Sequence, residues 1–377
     1  MMRVMCDTMF VPSSPARSVP ALFGKNSDRH PDEPQVMTLA PGSRWASFLS
    51  RPVWMRGAEM GINAKGVVIG NEAVFSRWKP AHDGTLGMDI LRMALEEAAT
   101  ARDAVDFIAH FVETRNQGGN GAYKGRLYYD NSYLVADFAE AWIIETAGHR
   151  WAARRASTPA AISNSYALGS DFDRSDGETA AERTKTFSWK QRVANPLYGF
   201  ITKGDVRRSC SLSAISAPDV CLESVFGALR AHGPRINGMR SVCMHGGGLV
   251  NNATTSSMVV ELLPADHRAV IWFTASSAPC LSLYRPAMLE EEAFRPLWLD
   301  YDYAEGSQAA LEHWKRRRKA TGSLKSSEAR GSAFVAERDE AQAQLVRLMR
   351  EHATARDHRG IDARIGDIVR AFELKWR

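Results

Sequence analysis

"NSYLVADFAEAWIIETAGHRWAARRAS", Asn131 to Ser157, decides the fold class. Three runs rich in β-formers are joined by tight turns at Phe138 to Glu140 and at Ala147 to His149. Links that short can only reverse the chain, whereas parallel strands need a long crossover, so the stretch predicts an antiparallel meander. Just upstream, "MDILRMALEEAA" carries Leu91, Ala94, Leu95 and Ala98 at helical spacing. Thr100 and Asp103 then form a capping-box pattern ahead of a second helix, with Ala104, Val105, Ile108, Phe111 and Val112 on one face. Both helices require an apolar sheet beneath them. Further strands are predicted at Val4 to Phe10, Val36 to Leu39, Gly66 to Ser76, Ala160 to Ser163, Ser257 to Leu263 and Ala269 to Thr274. Strands flanked by helix pairs give an α+β layered fold.

Asp171 to Phe187 is polar and reads as loop. From Tyr301 onward the chain reads as helical, with "TGSLKSSEARGS" as a Gly/Ser-rich linker. The final helix places Ile361, Ile365, Ile368, Val369 and Phe372 on one face, which needs a partner surface on the main domain or on another subunit. Assembly is the expected use of this region, so a homo-oligomer is predicted, most simply a dimer. The chain thus divides into a main domain over residues 6–300 and a C-terminal helical extension over 301–377, with residues 1–5 as a removable segment.

The 377 residues are 45% hydrophobic and 24% charged, the composition of a globular protein. A net charge of +5, much of it in "WKRRRK", has no recognition motif around it, so no nucleic acid is expected as partner. No run of about 18 apolar residues and no signal-peptide order occurs, so the reading is cytoplasmic, without a membrane. Neither GxGxxG after a strand nor GxxxxGK[ST] is found, and the Gly-rich "CMHGGGL" lacks the lysine of a phosphate loop. The five cysteines read as free thiols. Without CxxC, HExxH or HxxxH, no metal and no cofactor is expected, and Cys243 with His245 reads as a pair of core residues.

From position alone Cys6 reads as a small buried hydrophobe, and as a nucleophile if it heads the functional chain. A thiol attacks as thiolate and needs a base. An N-terminal cysteine has one in its own α-amine, whose reference pKa is roughly 7.7–8.0. Met5 must then be absent from the functional chain. Translation from Met5 with removal of that methionine would achieve this, and so would self-cleavage of a chain begun at Met1 or Met2. The Met5 start is the expectation.

The ordered series "CDTMF", "FGKNSDRHPDEPQ", "SRPVWMRGAEMGINAKGVVIGNEA", "LGMDILRMALEEAATARDAVDFI", "QGGN" and "EAWIIETAGHRWAARR" resembles the secernin family, relatives of the dipeptidase-type N-terminal nucleophile (Ntn) hydrolases. The resemblance spans residues 6 to 165, is patchy to about 300, and implies a four-layer αββα Ntn-hydrolase sandwich. It implies Cys6 as nucleophile and Asp28 as the carboxylate that positions amine and thiol. Lys25 or Arg29 would supply a cation beside the thiolate. Asn71 and Asn164 match the oxyanion and substrate-orienting positions, and Arg207 or Arg208, with Arg208 preferred, completes the catalytic set. Arg29 and Glu72 would face the substrate. The implied activity is cleavage of a short peptide or other small linear amide through an acyl-enzyme, without cofactor. The alternatives are acyl transfer from the same site and a non-catalytic, secernin-like interaction protein.

Overall fold

The computed structural model describes residues 5–14, 19–184, 186–235, 238–247, 251–355 and 357–376. Residues 1–4, on which the choice of start codon turns, and the end of "CMHGGGL" lie outside them. In chain order the elements begin β1 (Met5–Val11), β2 (Ala21–Arg29), β3 (Gln35–Ala40), β4 (Ser47–Pro52), β5 (Met60–Asn63) and β6 (Val68–Val74). Helices α1 (Gly87–Glu97) and α2 (Ala101–Thr114) follow, then β7 (Asp130–Ala136), β8 (Ala141–Ala147), β9 (Arg150–Arg155), β10 (Ala160–Ser163) and β11 (Arg174–Ser175). Next come α3 (Gly177–Glu182), α4 (Trp189–Val193), α5 (Pro196–Thr202), α6 (Gly204–Ile215) and α7 (Leu222–Arg230). The chain closes with β12 (Ala253–Leu263), β13 (Arg268–Phe273), β14 (Arg285–Glu290), β15 (Ala293–Pro296), α8 (Gln308–Lys325), α9 (Glu328–Thr354) and α10 (Arg359–Lys375).

These strands form two antiparallel sheets, ordered β10-β1-β2-β12-β13-β14-β15 and β11-β9-β8-β7-β6-β5-β4-β3. The sheets face each other through β1 and β10 against β6 and β7. Phe23, Met37, Phe48, Leu134 and Ile162 belong to the largest core cluster. Outside the second sheet, α1 and α2 bury Leu91, Leu95, Val105 and Ile108 over Tyr133 and Ile144. Outside the first, α6 and α7 lie on β1, β2, β10 and β12. Helix, sheet, sheet, helix is the αββα order expected.

The meander appears as β7, β8 and β9, turning where predicted. The Thr100 and Asp103 capping box is formed in full. Two readings change and a third is narrowed. The polar stretch 171–187 holds β11 and α3, because Asp176 caps α3 and buries Thr179 beneath it. The supposed linker is helix on both sides of Ser326 and Ser327. Burial of Thr321 and Leu324 outweighs a helix-interior glycine penalty of about 1 kcal/mol, and Ser327 caps α9. Finally, the apolar faces of α9 and α10 are covered within the chain: Phe334, Leu345, Ile365, Val369 and Phe372 join the largest core cluster. Trp314 Nε1 donates to the Thr255 carbonyl at 3.1 Å and Arg317 to that of Trp376 at 2.5 Å, tying this region to β12 and to itself. The stripe that suggested a homo-oligomer is therefore already occupied.

Candidate active site

Cys6 sits on β1, the second strand of its sheet, bonded to β10 on one side and β2 on the other. Side chains alternate across a strand, so the register decides what each residue meets. Cys6 pairs with Ser27 and Thr8 with Lys25, and this set faces the second sheet. Met5 pairs with Asp28 and Asp7 with Asn26, and this set faces α6 and α7.

On the inner face the thiol lies 3.9 Å from Glu59 Oε2. The Lys25 ammonium donates to the Asn71 carbonyl at 2.6 Å and to Glu72 Oε1 at 3.4 Å, and stands 3.8 Å from Glu59. Thr8 also donates to Glu72. Burial pushes the Cys6 thiol well up, opposed by the Lys25 charge, so the sulfur holds its proton while the Met5–Cys6 peptide is intact. Burial also raises Glu72 to about 8 despite Lys25 beside it. Gly70 makes room for this arrangement, since a Cβ there would stand 2.6 Å from the Lys25 side chain.

The backbone nitrogen of Cys6 donates to Asn164 Oδ1 at 2.7 Å. That oxygen also accepts from Arg207 at 2.7 Å, while Asn164 Nδ2 donates to the Ala73 carbonyl. Arg207 continues to Asp7 Oδ2 at 2.9 Å and to Ser163 Oγ at 3.0 Å, and Ser163 donates to the Cys6 carbonyl at 3.1 Å. One buried guanidinium thus gathers the residues on both sides of Cys6.

Several expected residues stand elsewhere. Arg208 is half-buried and makes none of these contacts. Successive helix residues point about 100° apart, so α6 turns Arg207 inward and Arg208 away. Asn71 and Glu72 face opposite sides of β6. The Asn71 amide donates to Asn131 Oδ1 on the α1 side, and only its carbonyl reaches the thiol's surroundings. Glu72 is fully buried against Thr8 and Lys25. Arg29 is spent on Glu33 at 2.7 Å, Glu59 at 2.9 Å and the Gly121 carbonyl, which leaves Lys25 as the cation acting on Cys6. Asp28 touches the sulfur through its backbone, whose N–H points at Sγ from 3.3 Å. Its carboxyl accepts from Thr254 at 2.6 Å and is pushed well up by burial and by nearby Asp7.

Glu59, Asp7, Ser163 and Thr254 were not singled out from the sequence. Each lies in a strand or an adjoining loop with no motif of its own, and only the sheet register brings them to Cys6.

Four buried polar atoms around Cys6 have no hydrogen-bond partner among the described residues: Asp7 Oδ1, Ser27 Oγ, Asp28 Oδ2 and Glu72 Oε2. Each such atom costs roughly 1–3 kcal/mol, so their concentration on β1, β2 and the facing β6 marks a site kept for something other than stability. Beside Asn164 opens a hollow of about 170 Å³ lined by Phe75, Tyr166, Lys190, Tyr198 and Phe200. Phe75 and Tyr198 stack at 4.3 Å, and Phe75 also packs against the cluster that contains Cys6. A larger groove of about 630 Å³ beside α1 and α2 is on the outer layer and holds no nucleophile.

A family model described as "Acyl-coenzyme A:6-aminopenicillanic acid acyl-transferase" matches residues 16–118. The match takes in Lys25, Asp28, Glu59 and Glu72 and stops short of Cys6. Among solved structures, a conjugated bile acid hydrolase from Clostridium perfringens is 9% identical, covering 79% of this chain and 98% of its own, with a TM-score of 0.46. A penicillin V acylase from Agrobacterium tumefaciens is 12% identical over 82% and 93%, with a TM-score of 0.42. A Caenorhabditis elegans ortholog of N-acylethanolamine-hydrolyzing acid amidase is 14% identical over 67% and 92%, at 0.34. At such scores the fold rests on the layers and strand order described above.

Proposed function

We propose that this chain is a cysteine Ntn amidohydrolase, made as a dormant precursor, that cleaves a short peptide or another small linear amide. The observation that carries the reading is the Cys6 nitrogen held by Asn164, itself fixed by Arg207, at the head of a strand lined with unpaired buried polar atoms. In the precursor that nitrogen is an amide and cannot accept a proton. Maturation follows if Cys6 Sγ attacks the Met5 carbonyl carbon. The Met5–Cys6 bond breaks, the nitrogen becomes a free amine, and water then hydrolyses the thioester to release the segment and restore the thiol.

In turnover the amine takes the thiol proton, sulfur attacks the substrate carbonyl, and the proton passes to the departing amine. Water hydrolyses the acyl-enzyme. Asn164 supports the developing oxyanion through its second Nδ2–H, the first being held by the Ala73 carbonyl, and Lys25 stabilises the thiolate. The unpaired Asp28 Oδ2 lies on the Met5 side, where it can receive the new ammonium. The aromatic hollow beside Asn164 suits an apolar acyl or side-chain group. Secernin-like dipeptidase specificity is the finer form of this reading. Acyl transfer to an amine is the second reading, favoured by the description of the matching family model.

Intact-mass measurement tests the scheme on chains expressed from Met1 and from Met5, each with and without Cys6→Ala. The expected result is a mature chain beginning at Cys6 that turns over dipeptides or acyl amides, and no turnover from Cys6→Ala. Full activity from a chain that retains Met5 overturns the α-amine mechanism. Adding amine acceptors and searching for acylated products separates transfer from hydrolysis.

A further inference from the structure

We propose that His232, Cys243, His245 and Cys280 form a structural zinc site. The four come from three separate segments. His232 follows α7, Cys243 and His245 precede β12, and Cys280 lies in the short 3-10 helix Pro279–Leu281 after β13. Their ligand atoms all lie within 4.8 Å of one another. His245 Nε2 is 3.0 Å from His232 Nε2, 3.2 Å from Cys280 Sγ and 3.5 Å from Cys243 Sγ.

Hydrogen bonding does not account for this convergence. An imidazole nitrogen offers one in-plane position, either an N–H or a lone pair, and three polar atoms crowd that one position here. A tetrahedral ion does account for it. Bond lengths of about 2.0–2.1 Å to nitrogen and 2.3 Å to sulfur set ligand–ligand edges of about 3.3 Å for N···N and 3.6 Å for N···S. The observed spacings approach these values. Two imidazoles and two thiolates are a soft to borderline set that selects zinc over magnesium or calcium, and the thiolates neutralise the dication. Four protein ligands complete the coordination shell, which leaves no position for water and makes the ion structural.

The sequence hides the set because only Cys243 and His245 are close along the chain, and they were read as core residues. The Cys243 N–H donates to the Ala231 carbonyl at 2.9 Å, drawing that loop against His232. Met244, between two ligands, receives the Thr254 N–H on its carbonyl at 3.0 Å and donates its own to Thr254 Oγ1 at 2.8 Å. Thr254 in turn holds Asp28. The ion thus pins the loop that positions the Asp28 carboxyl.

The test is metal analysis of the full chain, expressed with zinc supplied and purified in reductant without a chelating or metal-affinity step. About one zinc per chain is expected, with cobalt replacement giving a thiolate-to-cobalt charge-transfer band and the strong visible bands of a tetrahedral ion. Cys243→Ser with Cys280→Ser should remove both signals. Because that double variant can fail to fold, His232→Ala, on the exposed side of the cluster, serves as the second probe. It should retain the fold and weaken zinc binding by more than the roughly 10–100-fold that loss of an outer-shell partner costs. The proposal is overturned by reduced protein with under about a tenth of an equivalent of zinc and no cobalt band, by zinc content unchanged in the variants, or by a Cys243–Cys280 disulfide in freshly isolated protein.

Discussion

At Cys6, burial keeps the proton on sulfur while the Lys25 ammonium favours its loss, and burial is the larger influence while the Met5–Cys6 peptide is intact. Helix orientation, by contrast, explains why Arg207 and Arg208 should differ. Arg207→Lys keeps a charge but loses the fork that joins Asp7, Ser163 and Asn164, and a lysine cannot replace bidentate contacts of this kind. Turnover should fall by about 100-fold or more, within the range that loss of a preorganised polar contact produces, whereas Arg208→Ala should leave kcat within about twofold. Steady-state kinetics on the two variants checks this, and the reverse order removes Arg207 from the site. Glu145 gives a pH signature. It is fully buried, and burial raises it to about 7, opposed by the Ala167 and Leu168 N–H groups. Between its unfolded pKa of about 4.3 and about 7 the folded state binds more protons than the unfolded state, so this group's stabilisation is complete at low pH and lost as pH rises through 7. Glu145→Gln should make the decline in urea midpoint between pH 5 and 8 shallower; an unchanged slope contradicts the assignment.

Elements explain what the sequence could and could not disclose. The meander, the capped α2 and the strand bearing Cys6 were legible because period, turn residues and caps are local signals. Asp7, Glu59 and Thr254 were not, because their roles depend on register across strands far apart in the chain. Arg208 was preferred to Arg207 because "GDVRRS" does not say which arginine a helix turns inward. That orientation is set by Gly204, where α6 starts against β10's end: a Cβ would lie 2.7 Å from the Asn164 carbonyl carbon and 2.9 Å from its oxygen, both backbone atoms. Gly204→Ala must push α6 outward and carry Arg207 with it. A folded protein with normal circular dichroism and at least about tenfold lower kcat is expected. Wild-type kinetics would show that α6 can shift without disturbing Asn164.

Across the described residues the C-terminal helices join the largest core cluster. Phe334 is fully buried and packs edge-on against Phe372 and Trp376, so α9 and α10 close over each other. Phe334→Ala should cost about 3–5 kcal/mol in urea unfolding. A loss under about 1 kcal/mol would show that this corner is dispensable. Truncation before α8 should therefore yield aggregated chains, because it uncovers Trp314's contact on β12 and the apolar layer above β14.

The placement of β1 has a practical outcome at the bench. Its first residue, Met5, is paired to β2 alone, while Asp7 to Phe10 are gripped from both sides, so a cut before Cys6 trims one end and leaves the grip intact. Any affinity tag fused ahead of Met5 would be discarded by each molecule that matures through self-cleavage, and capture on that tag would enrich dormant protein. An inactive preparation obtained that way would report on the handle, not on the proposed activity.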